Sequence, residues 1–185
     1  MKKSFILFVL FILVSFSIFA ERIVGTDKLE YNQKTQLYHY GNEKEPFTGI
    51  EKAYYEDKSL KYELPYKNGK FDGKAIEYYP SGKIESESFY VNGKLNGKSI
   101  EYYKNGNLKS DGNYKDGKRD GLTKTYFEDG TIRSEIYYKN GELDGLAKEY
   151  YGNGQVFIQE NYKNGELDGE SLNFYKDGKF RYGDD

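Results

Sequence analysis

The chain has no cysteine, no tryptophan, a single histidine and three prolines. Without cysteine there are no disulfides, so the fold has to be held by packing and repetition. His39 alone leaves no material for a histidine-based triad or for a metal centre of His and Cys ligands. The absence of tryptophan removes the ring that glycan-binding aromatic repeats usually carry. Neither sign of charge dominates, with 28 basic and 30 acidic residues. Nothing in that balance draws the chain to nucleic acid or to an anionic membrane.

Tyrosine and glycine, at 21 each, are plentiful, and aromatic residues make up 18% of the chain. Glycine breaks helices and aromatic residues favour strands, so short strands joined by tight turns are expected.

The first 20 residues differ from the rest. Lys2 and Lys3 precede an apolar run, Ser4 to Phe19, and Ala20 offers a small residue before Glu21. This is the pattern of a secretory signal peptide, although Ile18 is larger than the residue preferred three places before the cut. The run is shorter than the roughly 20 residues of a membrane span. It is not followed by cysteine, which excludes a lipid anchor on that residue. Removal of Lys2 and Lys3 from the 28 basic residues leaves 26 against 30 acidic ones. The expected product is exported to the periplasm, the cell surface or the medium, with cleavage near Ala20.

From Tyr66 onward the chain repeats. Tyr66, Tyr90, Tyr114, Tyr138 and Tyr162 stand 24 residues apart, and YKNGELDG occurs twice, at Tyr138–Gly145 and Tyr162–Gly169. The units are 66–89, 90–113, 114–137, 138–161 and 162–185, and a degenerate copy occupies 42–65. A fixed period of this size marks a linear repeat array. Residues 21–41, with Leu29, Tyr31, Leu37, Tyr38 and Tyr40, are expected to supply a first strand and a cap. The acidic Gly183-Asp184-Asp185 is expected to blunt the far edge.

Each unit places glycines in Asn-Gly or Asp-Gly pairs, which mark tight turns. The turns cut the unit into two strand-length segments, so the spacing predicts an all-β, elongated array of antiparallel hairpins in one long twisted sheet. With strands about 4.8 Å apart the array would be on the order of 50–60 Å long. At the tip Tyr79-Pro80-Ser81-Gly82-Lys83, Pro80 favours a three-residue loop with Tyr78 opposite Ile84. A two-residue turn would instead pair Tyr79 with Ile84. The first register makes a core row of Tyr54, Tyr78, Tyr102, Tyr126, Tyr150 and Phe174. Their partners would be Leu60, Ile84, Leu108, Ile132, Val156 and Phe180. Phe47, Phe71, Leu95, Leu143 and Leu167 are expected to tuck over that row, with Arg119 as a weak point in the third unit.

The neighbouring row, Tyr55, Tyr79, Tyr103, Phe127, Tyr151 and Tyr175, falls on the face expected to carry Glu77, Lys83, Glu85 and Glu87. It is the candidate binding row, because tyrosine offers a rigid apolar ring and a hydroxyl to a partner. The same rings could instead pack between tiers and support the sheet. Asp72, Asp120, Asp144 and Asp168 recur beside glycines. They read as turn residues more readily than as calcium ligands, since Asn96 breaks the series and no unit has the acidic density of a calcium loop. Glu77, Glu101 and Glu149 form a row that Thr125 interrupts, which suits a solvated surface and not a catalytic pair. No glycine opens a helix, so there is no phosphate loop. Neither a catalytic residue nor a cofactor is expected.

The pattern Tyr-x-Asn-Gly-Lys-x-x-Gly, followed by an aromatic strand and a second Asn-Gly, resembles the MORN repeat in its bacterial variant form. The resemblance spans Asn42 to about Tyr182. It implies an elongated hairpin array with scaffolding, protein-contact and, in some members, lipid-contact roles. The longer unit and the preceding YHYGNEKEPFTG are similar to a bacterial group often labelled as antitoxin components of toxin–antitoxin pairs. For an exported chain, that would mean protection against a toxin met outside the cytoplasm. The expected function is a non-enzymatic scaffold that binds a protein partner along its sheet. A cell-wall or surface-glycan module is the alternative reading, and a lipid-contacting one is the third.

Overall fold

The computed structural model describes residues 22–181. The expected signal peptide, 1–20, and the acidic end, 183–185, lie outside the described residues. Among the described residues the regular structure is strand, joined by tight turns, apart from one 3-10 turn at Thr26–Lys28.

Two kinds of turn build the array. Asn68 and Gly69 have φ of 50° and 73°, and the pairs at 92–93, 116–117, 140–141 and 164–165 are likewise positive at both residues. Positive φ at both central positions defines the type I′ turn, whose twist matches that of the flanking strands. The other turn is the three-residue tip loop. The Tyr79 N–H donates to the Lys83 carbonyl and the Gly82 N–H to the Tyr79 carbonyl, both at 2.8 Å. Tyr78 therefore faces Ile84, the register that Pro80 favours. The tips at Tyr54, Tyr102, Tyr126, Tyr150 and Phe174 repeat it.

The hairpins join in chain order into a 16-stranded sheet. All its pairings are antiparallel except at the N-terminal edge. There β1 (Ile23–Gly25) lies parallel to a later strand, Gly49–Tyr54. Between them, β2 (Leu29–Asn32) and β3 (Leu37–Tyr40) form a separate hairpin. Leu29, Tyr38 and Tyr40 of that hairpin pack on Val24, Phe47 and Tyr66. The seam is closed by backbone bonds: Tyr38 N–H to Gly69 carbonyl, Gly69 N–H to Phe47 carbonyl, and Phe47 N–H to Tyr38 carbonyl.

This arrangement corrects the expected core. The pairs headed by Tyr54, Tyr78, Tyr102, Tyr126, Tyr150 and Phe174 form as expected, but their face has no second layer among the described residues. Tyr54 is 59% exposed and the others are half-buried. A cross-strand pair gains only lateral contact when nothing lies above it. The deep core sits instead under the cap, where Phe47 is 1% and Tyr66 4% exposed.

A second correction concerns Glu87. Glu77 pairs with Ser86 and Tyr78 with Ile84, so Glu85 is an extra, bulged residue. The bulge shifts the alternation by one, and Glu87 crosses to the Tyr78 face. There it meets Lys74. Lys52–Glu63, Lys98–Asp111 and Lys124–Glu135 repeat the pairing along that face. Being partly exposed, each contributes at most about 1 kcal/mol.

A candidate binding trough on one face

The opposite face alternates with the ion-paired one and carries nearly all the remaining buried residues. Its floor carries many small residues, Ala75, Ser88, Ser99, Gly112, Thr123 and Ala147 near the type I′ turns, and Ser86, Ser110, Thr125 and Ser134 nearer the tips, interspersed with Ile136 and with the carboxylates Glu77, Glu101 and Glu149. Ala75, Thr123 and Ser134 are buried although no layer covers them. Hydroxyls pair across strands, Ser88 with Ser99 at 2.9 Å and Thr125 with Ser134 at 2.6 Å.

Large side chains bound this floor on both sides. One rim is the first tyrosine of each unit with its partner across the type I′ turn: Tyr66 with Phe71, Tyr90 with Leu95, Tyr114 with Arg119, Tyr138 with Leu143 and Tyr162 with Leu167. These partners sit beside tyrosines of their own face, and so do not tuck over the Tyr78 row. Arg119 is not a void in the rim. Its guanidinium lies 5.9 Å from the Tyr114 ring and 5.4 Å from the Tyr138 ring.

The other rim is the row Tyr55, Tyr79, Tyr103, Phe127, Tyr151 and Tyr175. All are half-buried except Tyr175, which is 50% exposed. The hydroxyls of four of them are engaged within the chain. Tyr55 donates to the Tyr78 carbonyl, Tyr79 to that of Tyr102, Tyr103 to that of Tyr126 and Tyr151 to that of Phe174, at 2.6–2.9 Å. Each bond reaches 23 residues ahead, into the next unit. What this row presents to the trough is ring surface. Bulged residues lie over three of these rings, Lys61 on Tyr55, Arg133 on Phe127 and Phe157 on Tyr151, and Arg181, paired with Asn173, lies over Tyr175.

Phe127 lacks the hydroxyl. Phe127→Tyr should extend the ladder of ties to the Tyr150 carbonyl and raise stability by about 1 kcal/mol, the net worth of one hydrogen bond. Urea unfolding measures this, and a fall in stability would show that the tie does not form there.

Further ties join the turns. The Gly93 N–H donates to the Phe71 carbonyl, and Gly117, Gly141 and Gly165 repeat the bond one unit on. Asp72, Asp120 and Asp144 accept from the N–H groups of Asn92, Asn140 and Asn164. That use explains why aspartate recurs there. At the capped end Glu51, 7% exposed, accepts from the Tyr66 and Tyr62 hydroxyls at 2.8 and 3.2 Å. Burial, then the charge of Glu51, push Tyr62 up to about 12.

Between the second and fourth units the trough deepens into a groove of about 380 Å³, lined by Glu101, Tyr103, Lys109, Ser110, Arg119, Thr125, Arg133, Ser134 and Glu149. The sequence reading placed Tyr103 on this surface. It missed the facing rim, because Tyr66 and its repeats served only as markers of the period. The signal was available: a tyrosine always precedes the type I′ turn and a bulky residue always follows it, five positions later.

A family model described as MORN repeat variant matches residues 47–68, 71–92, 95–116, 119–140 and 143–164. The first matched stretch opens on the buried Phe47 and the others on rim residues, Phe71, Leu95, Arg119 and Leu143, and each closes on the Asn or Asp that begins a type I′ turn. No curated protein matches the chain.

Proposed function

From the premise that this chain belongs to the MORN repeat variant family, and is therefore a repeat scaffold, we propose that it is an exported, non-enzymatic binder that holds an extended segment of a protein partner in its trough. The observation that carries the reading is the trough itself: two rims of rings and bulky side chains over a floor rich in serine, threonine and alanine, with glutamates between them. An extended segment could lay side chains between the rims while its backbone meets the floor hydroxyls. Export is supported by the apolar run after Lys2 and Lys3. An immunity-like role, with a toxin met outside the cytoplasm as the partner, is a special case of this reading.

The test is a pull-down with the tagged chain from a native envelope extract, read by mass spectrometry. A partner retained near one-to-one should be lost with Ser110→Arg, which fills the floor, and kept with Phe89→Arg on the opposite, exposed face. Circular dichroism on both variants confirms that the sheet is present. Retention unchanged by Ser110→Arg would sink the trough as the binding surface. Retention on purified wall polymer or lipid alone would move the reading to a glycan or lipid module.

A further inference from the structure

The third unit departs from its neighbours at three places on the trough face. Arg119 stands where the other units carry Phe71, Leu95, Leu143 and Leu167. Thr125 replaces the glutamate found at Glu77, Glu101 and Glu149, and Phe127 replaces a tyrosine. The row of floor carboxylates is thus interrupted in the unit where an arginine enters from the rim.

Arg119 and Arg133 line the same groove from opposite rims. Among the described residues neither forms an ion pair, whereas Lys109, the third cation of the groove, is bound to Glu101 at 2.9 Å. The Arg119 guanidinium is held between the Tyr114 and Tyr138 rings, and its Nε donates to the Tyr114 hydroxyl at 3.2 Å. Rings that fix a guanidinium plane lower the entropy lost when it takes up a planar anion. On the floor between the two arginines, Thr125 and Ser134 share one hydrogen bond. Two hydroxyls have two protons, so one proton remains to donate.

We propose that this groove receives a single carboxylate side chain, aspartate or glutamate, of the extended protein segment that occupies the trough. The inference rests on the trough reading above. Arg119 and Arg133 grip the carboxylate, the shared hydroxyls donate to it, and Glu149 faces a basic residue next to it on the partner. An array of anionic lipid headgroups fits less well. It would confront Glu77, Glu101 and Glu149 along the same floor, in a chain whose net charge is already −2. One carboxylate flanked by basic groups meets only the local field.

The experiment uses the full chain and a fluorescent twelve-residue peptide of alternating Glu and Lys, with the Gln-Lys peptide as its counterpart. Saturable binding of the Glu peptide is expected, weaker by about tenfold or more for Gln-Lys and for Arg119→Leu, the scale of one charge-assisted bond. Arg119→Leu restores the residue of the neighbouring units, so its unfolding midpoint should not fall. Equal binding by Arg119→Leu, equal binding of the two peptides, or no saturable binding at millimolar peptide each overturns the proposal. So does retention on phosphatidylglycerol vesicles that Arg119→Leu abolishes. If the envelope partner is lost with Ser110→Arg but kept with Arg119→Leu, the carboxylate site falls and the trough reading stands.

Discussion

Replacing Phe47 with alanine should lower the unfolding free energy by about 3–5 kcal/mol, the range for a buried aromatic truncated to leave a cavity. Phe47 is the largest side chain fully buried among the described residues. Its ring meets Tyr66 at 5.6 Å and Tyr40 at 6.3 Å, and the Arg22 guanidinium lies 5.7 Å from its centre. It joins the cap hairpin to the first type I′ turn, so its loss unseats the one place among the described residues where the sheet has a second layer. In an array whose units contact only their neighbours, damage at one end spreads inward by fraying. Hydrogen exchange should therefore lose protection first across Gly49–Lys67, while Gly121–Lys163 stays protected. A loss below about 1 kcal/mol, or uniform loss of protection, would contradict the placement of the core under the cap.

The second large effect is a contrast between two glycines in the same turn position. Gly69 and Gly117 each follow the first residue of a type I′ turn, with φ of 73° and 84°. An alanine at either pays the left-handed penalty of about 1–2 kcal/mol. At Gly117 a Cβ would meet nothing within 4 Å, whereas at Gly69 it would lie 2.8 Å from both the Leu37 Cβ and the Tyr38 carbonyl oxygen. Gly69→Ala should therefore cost several kcal/mol more than Gly117→Ala and expose Tyr66. Thermal unfolding of the two variants side by side reads the difference. Equal losses would mean that β3 does not rest on the first turn.

Much of this architecture could be read from particular residues. The recurrence of Tyr66 gave the period, Asn-Gly pairs gave the type I′ turns, and Pro80 gave the tip register. The layering was not readable. Tyr78 and Tyr79 are adjacent aromatics on opposite faces, so a pattern of period two shows no contrast between them. The bulge at Glu85 then moves Glu87 to the other side, and a bulge leaves no mark in the sequence beyond the loop that precedes it. The candidate row was placed on the correct side of the strand. What stayed hidden was the bond from each tyrosine hydroxyl to a carbonyl 23 residues ahead, because a backbone acceptor has no identity in the sequence. Arg119 looked like a defect in an apolar series. Only the flanking positions of Tyr114 and Tyr138 show it as a held cation.

The hydroxyl ties all point forward, with the donor in one unit and its acceptor in the next, and the ties of the turns point back, from an N–H to the unit before. The length of this protein is therefore quantised. Inserting 24 residues at a type I′ turn would give every hydroxyl, turn glycine and turn aspartate a partner of the kind it already has. Inserting 23 or 25 would break all three ties at once and turn the floor of the next unit to the wrong side. Such a chain can grow or shrink only by whole units, and each gain or loss lengthens or shortens the trough without redrawing its cross-section.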